Sequence, residues 1–351
     1  MAYSTISKPS LHFNTKLYTG TGSTNAQTGI GFQPDFTWIK VRSNGTYGHA
    51  LFDAVRGVNK PISTNSASAE GNDATSGNTS LNSFDSDGFT LGGYYNKVNQ
   101  SGQTFVSWNW KAGNSAGSTN NDGSVASTVS ANTTAGFSIV KFNYPSSGNF
   151  TFGHGLGVAP RMFMLKGYTG TANWQVFNEQ KGNTWNTQMN YDSASSSGAN
   201  WWGSTSPTST VCTVGADLIE SGQTAIAYCF AEKKGYSKFG TYTSNGDADG
   251  PFIYTGFKPA FVLIKNTNAS ALWMLYDNKR DIDNPNTKSL MPNATNQEDV
   301  NAENMDFLSN GFKCRGTGVK MNTGTNVFLY MAFAEEPLVA NVGQGIPATA
   351  K

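Results

Sequence analysis

Gly256-Phe257-Lys258-Pro259-Ala260-Phe261-Val262-Leu263-Ile264-Lys265 decides the fold, because the chain writes this phrase three times. The first copy is Gly31-Phe32-Gln33-Pro34-Asp35-Phe36-Thr37-Trp38-Ile39-Lys40, and the middle copy is Gly157-Val158-Ala159-Pro160-Arg161-Met162-Phe163-Met164-Leu165-Lys166. Each has a Gly three residues before the Pro, an apolar residue two before it and a Lys six after it. Self-similarity at such a long period indicates duplicated structural units.

Within the phrase, Pro fixes φ and has no N–H, which suits the entry to a strand or an edge position. The β-branched and aromatic run after it, bounded by turn residues, favours a buried strand over a helix. The Lys then reads as the point where the chain returns to water. The plan repeats beyond the phrase: Ser101-Gly102-Gln103-Thr104 recurs letter for letter as Ser221-Gly222-Gln223-Thr224, each feeding an apolar strand. From the Pro to the last ring of the closing strand the distances are 76 residues (Pro34 to Trp110), 70 (Pro160 to Phe230) and 74 (Pro259 to Phe333).

Near-constant spacing with polar insertions describes one plan copied in tandem. The expected fold is therefore all-β, three tandem antiparallel β-sandwich domains of jelly-roll or lectin-like type. Their bounds read as 13–113, 136–235 and 236–351, the last with a C-terminal tail, after a polar N-terminal segment 1–12. Residues 114–135 are Gly/Ser/Asn/Thr-rich, nearly free of large apolar residues apart from Val125 and Val129, and read as a flexible linker. No linker separates the second unit from the third, so those two are expected to pack together. Asn296 to Met305 is the one stretch with a helical pattern.

The 351 residues suffice for several cores. Charged residues make up only 13%, about half the ~25% usual for soluble domains, so amides and hydroxyls must hydrate the surface. A net charge of +1 with no basic block argues against electrostatic capture of nucleic acid or anionic membrane. The longest apolar run, Val327 to Ala334, is far short of the ~20 residues a membrane helix needs. Residues 1–12 lack the apolar core of a signal peptide, so synthesis in a cytoplasm without export is expected. Cys212, Cys229 and Cys314 form no C-x-x-C and read as buried free thiols.

Catalytic constellations are scarce. His12, His49 and His154 have no partner His or Cys at ligand spacing, and no G-x-S-x-G or H-E-x-x-H occurs. Gly153-His154-Gly155-Leu156-Gly157 precedes a strand, where a phosphate loop follows one, and reads as a turn. Asp85 and Asp87, and likewise Asp247 and Asp249, carry the D-x-D-G look of a calcium loop without the further ligands Ca²⁺ demands. The turn reading outweighs a Ca²⁺ site for all four, and no cofactor is expected. Aromatic residues, 13% of the chain, belong mostly to strands and hence to cores. Trp185, Trp201 and Trp202 fall in polar loops of the second unit, and Tyr94 and Tyr95 follow a Gly pair. Loop rings among Asn, Ser and Gly suit stacking on sugars or packing into a protein neighbour, so these five are the contact candidates.

The stretches 32–40, 49–57, 84–92 and 235–240 (Phe32-Gln33-Pro34, His49-Ala50-Leu51-Phe52-Asp53, Phe84-Asp85-Ser86-Asp87-Gly88 and Gly235-Tyr236-Ser237-Lys238 among them) resemble the repeats of a protein family common in marine bacteriophage genomes. Members are taken as virion structural or tail-fibre-like proteins with a lectin-like β-sandwich. The resemblance spans nearly the whole chain after residue 12, although heptads and Gly-x-y runs of a fibre shaft are lacking. It implies a non-enzymatic virion protein, an outward-facing fibre or spike that contacts host-surface glycans. A capsid decoration or head-fibre protein is the alternative, and a glycan-cleaving enzyme a further one. Its partners would be other virion proteins and host carbohydrate, and its assembly a symmetric homo-oligomer, with a trimer favoured.

Overall fold

The three proline phrases each lead into an inner strand of a larger antiparallel sheet, in the computed structural model that describes residues 4–71, 79–93, 95–145, 147–215, 218–341 and 345–348. Strand Phe36–Val41 lies between Thr104–Trp110 and Ala50–Asp53, with Phe13–Thr19 beyond the former and Gly57–Ile62 beyond the latter. The second copy repeats this order with Phe137–Asn143, Thr224–Phe230, Met162–Gly167 and Gln175–Asn178. The third does so with Ser237–Thr243, Val327–Pro337, Phe257–Asn266 and Met274–Asp277. A smaller sheet covers one face of each: Asn25–Gln27 with Gly88–Leu91 and Leu81–Asp85, Phe150–Gly153 with Val211–Val214, and Asp249–Tyr254 with Gly311–Arg315, Asp299–Leu308 and Asn286–Ser289. The chain is thus all-β and of sandwich type. Pro259 sits between two register shifts in its strand, where the missing N–H breaks no ladder bond.

The larger sheets are buried on both faces, which explains why their inner strands read as mostly apolar rather than alternating. Every residue of Phe36–Val41 is buried. Period-two alternation sends Ile39 and Val41 into the first repeat's own core with Phe52, Phe89 and Phe105, and Phe36 and Trp38 the other way. The other way leads to one apolar core shared by all three larger sheets, in which Trp108, Trp110, Tyr228, Phe230, Phe261 and Phe333 meet. Phe36 and Tyr228 rings lie 4.3 Å apart, Trp110 and Phe333 5.5 Å, and Phe230 and Phe333 5.9 Å, so each repeat touches both others.

Polar contacts close these packed sheets into a ring. The phrase's Lys, read from sequence as returning to water, is fully buried in all three copies. Its ammonium instead donates to the neighbouring repeat: Lys40 Nζ to Thr295 O (3.0 Å), Lys166 Nζ to Ala67 O (2.8 Å) and Lys265 Nζ to Asp192 O (3.1 Å). The direction is cyclic, first to third, second to first, third to second. Two further contacts recur at the same three junctions, a backbone bond donated in the opposite direction and a ring nitrogen donated in the same one. Glu298 N donates to Arg42 O (2.8 Å), Glu70 N to Tyr168 O (2.8 Å) and Ser195 N to Thr267 O (3.0 Å). Four residues before Asp53, Asn178 and Asp277 stand His49, Trp174 and Trp273. Each places a ring nitrogen on the adjacent repeat's carbonyl, Met291 O (3.1 Å), Ser63 O (2.8 Å) and Gln188 O (3.0 Å) respectively.

A fourth contact shows where the symmetry breaks. Tyr228 Oη donates to Asp53 Oδ2 (2.8 Å) and Trp108 Nε1 to Asp277 Oδ2 (3.0 Å), each acceptor also paired with an arginine of its own turn, Arg56 or Arg280. The residue equivalent to Tyr228 and Trp108 in the third repeat is Met331, which has no proton to give, and the acceptor position of the second repeat is the uncharged Asn178. Donor and carboxylate are lost together, as a buried charge without a partner would demand.

Two expectations are corrected by this packing, and a third, the packing of the second repeat on the third, holds and is extended. Residues 114–135 are not a free linker: Ser118–Asn120 and Ser127–Asn132 extend the second repeat's larger sheet, with Val129 turned into that repeat's core. Outer strands are held by backbone bonds and need few apolar side chains, so their composition imitates a loop. Asn296 to Met305 is no helix, because Asp299–Leu308 forms a strand against Gly311–Arg315. The packing of the second repeat on the third is one of three equivalent junctions. The N-terminal segment also joins the fold: Ile6 is buried in the shared core, and Thr5 N donates to Lys234 O (2.8 Å).

Candidate functional site

The loop rings singled out from sequence divide sharply once placed. Trp202 is fully buried, edge-on to Phe163 (4.8 Å) and Phe177 (5.7 Å), with its indole N–H on Trp185 O (2.8 Å). It is a core side chain, not a contact residue, and its polar surroundings in sequence come from the loop that carries it inward. Trp185 is half-buried on strand Trp185–Gln188, and Lys181 Nζ stands 4.1 Å from its ring centroid. Trp201 is half-buried against the second repeat's core and, with Gly198, Ala199 and Asn200, lines a cavity of about 290 Å³. Its Nε1 is buried with no hydrogen-bond partner among the described residues. A Cβ at Gly198 would stand 2.8 Å from that nitrogen, so glycine is what lets the loop lie against the indole. Tyr95 is half-buried beside the first repeat's own core, 5.9 Å from Lys97 Nζ. Tyr94 lies outside the described residues.

The acidic candidates hold turns. Asp87 accepts from Gly29 N (2.9 Å) and Gly31 N (2.6 Å), bonds that keep its carboxyl below the usual range, and Asp85 accepts from Thr90 Oγ1 (2.7 Å). Asp247 accepts from Asp249 N (2.9 Å). Asp249 is paired with Lys313 (2.8 Å) and Arg315 (2.5 Å), which hold its carboxyl low. Among the described residues no three His, Cys, Asp or Glu side chains stand together as a metal site would require.

The buried histidine, lysines and thiols belong to the framework. His49 accepts from Trp38 Nε1 (2.8 Å) at Nδ1, so its Nε2 carries the proton directed at Met291 O. Burial pushes its pKa well below the usual histidine value and keeps it neutral. Burial likewise brings Lys40 down to about 7, and Lys166 and Lys265 down to about 8. Cys212, Cys229 and Cys314 are buried thiols, and burial raises Cys314 to about 12. The ring-closing residues carry one signal in the sequence, the lysine at a fixed offset from each proline. In a single strand that lysine looks like a surface residue, since nothing there reveals that both faces are covered.

Residues 8–337 match the model of a family described as Domain of unknown function (DUF7483). The chain belongs to that family. The matched segment includes all three larger sheets and every ring-closing contact described above, so the ring lies within the family's span. No curated protein and no solved structure matches the chain. Among the described residues no helix is long and apolar enough to cross a membrane.

Proposed function

We propose that this chain is a structural protein of a bacteriophage particle, carried on its exterior as a fibre-like or spike-like element that touches host-surface glycans without cleaving them. The observation that carries the reading is the ring itself. Three sheet pairs spend one face of every larger sheet on a common core, and the buried lysines, histidine and tryptophans lock the junctions. Such a body is built for rigidity and presents loops rich in hydroxyls and amides outward. The repeats' resemblance to phage virion proteins supports the same assignment. Trp201, half-exposed over its 290 Å³ hollow, is the retained glycan-contact candidate of the second repeat, with Trp185 beside Lys181 as its companion.

A second reading, a capsid decoration protein, is favoured by a specific feature. The threefold packing that a fibre trimer would build between chains is met here inside one chain, so a single copy can occupy a threefold position on a shell. Electron microscopy of purified virions with an antibody against the chain tests both readings. Label on the tail supports the spike, label on the head supports decoration, and particles without label refute the virion assignment.

A further inference from the structure

A cavity of about 320 Å³ opens beside the third repeat, between the turn that carries Glu232 and Lys234, the edge strand Ser237–Thr243 and the strand Asp249–Tyr254. Its size falls within the range of small-molecule sites. On the latter strand Ile253 is buried, while Phe252 and Tyr254 point outward, 45% and 54% exposed. Tyr254 lies in contact distance of Gly256, where a Cβ would stand 3.5 Å from the phenol oxygen. Phe252 lies over Gly311, whose Cβ would stand 2.9 Å from the ring edge. Glycines beneath both side chains let them lie against the surface. Residues two apart on a strand are separated by roughly 6.5 Å, so the rings form a short aromatic track leading to the cavity.

The polar groups around that track are unspent. Lys238 Nζ stands 5.7 Å from the Tyr254 ring centroid. Lys234 and Glu232 are exposed at the same rim, and among the described residues none of the three has a salt-bridge partner. Nothing in the framework requires this arrangement. At the same offsets from the proline, seven and five residues before it, the first repeat has Gln27 and Gly29 and the second has Gly153 and Gly155. The aromatic pair is an addition to one repeat of three.

We propose that this cavity binds one unit of an acidic polysaccharide. The sugar ring lies on the face of Tyr254, its carboxylate meets the ammonium groups of Lys238 and Lys234, and its hydroxyls donate to Glu232. An aromatic face accepts the C–H surface of a sugar, and two ammonium groups against one carboxylate favour a singly charged acid. A phosphate dianion would meet Glu232 unfavourably, whereas hydroxyl groups are the donors that this carboxylate lacks. The site goes beyond the virion assignment and does not depend on it.

The test is calorimetric titration of the full chain with tetrasaccharides of galacturonic, glucuronic and mannuronic acid, and with a neutral galactose tetrasaccharide. The expected result is saturable binding of at least one acidic probe, weakened by added salt and much stronger than binding of the neutral one. Tyr254→Ala and Lys238→Gln, both at surface positions, should each weaken it on the order of tenfold, and Tyr191→Ala, an exposed ring of the second repeat away from the cavity, should leave it unchanged. Circular dichroism confirms that each variant is folded. No binding of any acidic probe, equal binding of the neutral one, or binding indifferent to Tyr254→Ala and Lys238→Gln would overturn the proposal. So would sedimentation showing self-association that Tyr254→Ala abolishes, which gives the face to a second copy. Virions without antibody label would refute the phage reading while leaving this site standing.

Discussion

Tyr228 and Asp53 are 175 residues apart in sequence and belong to different repeats, yet the phenol donates to the carboxylate at 2.8 Å and both side chains are buried. Tyr228→Phe deletes one hydrogen bond to a charged acceptor, worth about 1.5–3 kcal/mol. The loss stays near that figure because Asp53 keeps Arg56 Nε (2.6 Å) and the backbone N–H groups of Val55 (3.1 Å) and Arg56 (2.8 Å), so the carboxylate is not orphaned. Removing the charge instead, by Asp53→Asn, weakens the Arg56 pair as well. The introduced amide still accepts a neutral hydrogen bond, so on top of Asp53→Asn the Tyr228→Phe change should cost less by a coupling energy of about 1–1.5 kcal/mol. The assay is urea unfolding followed by tryptophan fluorescence for wild type, both single variants and the double variant. At a slope of roughly 3 kcal/mol per molar, Tyr228→Phe moves the midpoint down by roughly 0.5–1 M. If the three sheet pairs were independent beads, the coupling would be near zero and unfolding would split into separate steps. A coupling below about 0.5 kcal/mol, or a fluorescence transition in which only the second repeat responds to Tyr228→Phe, would refute the closed ring.

Three further outcomes are expected. Burial lowers the Lys166 pKa to about 8 in the folded chain, below its unfolded value, so the unfolded state binds more protons above pH 8 and stability from this group rises with pH. The stability difference between wild type and Lys166→Met should thus shift in favour of wild type by about 1 kcal/mol between pH 7 and pH 9 in parallel urea titrations, and a flat difference would contradict it. Trp202→Ala should cost about 3–5 kcal/mol in the same assay, as a buried large-to-small change does, whereas Trp201→Ala should cost clearly less and lower adsorption to host cells. Gly88→Ala should lower the melting temperature measured by circular dichroism, through a loss of roughly 2–4 kcal/mol of stability. Its φ is 157°, and a Cβ there would stand 1.8 Å from Gln27 O.

The strand content and the threefold repetition are open in the sequence, because Pro34, Pro160 and Pro259 sit at one offset from like apolar runs. Period-two reasoning identifies a strand but does not tell one buried face from two. Trp38 and Ile39 look alike as neighbouring apolar residues of one strand, yet they enter different cores. For the same reason Lys40, Lys166 and Lys265 are legible as a repeated feature and illegible as junction residues. Ser127–Asn132 shows the opposite limit, where a strand held by backbone pairing reads as a loop. At the candidate sites, proximity in sequence separates neither Trp201 from Trp202 nor a surface ring from a core ring. Phe252 and Tyr254 escape a reading of the sequence because an alternating strand with aromatic residues is by default a buried one.

Joining the three sheet pairs covalently has a consequence for how their surfaces can diverge. In a trimer of identical chains, any change to a rim is made in triplicate, and a groove suited to one ligand must be repeated about the axis. A single continuous chain escapes that constraint: the framework lysines can stay matched while each arm acquires its own outer chemistry. The Trp201 hollow on the second arm and the Phe252–Tyr254 track on the third are that freedom in use, and they give one rigid body differently furnished sides.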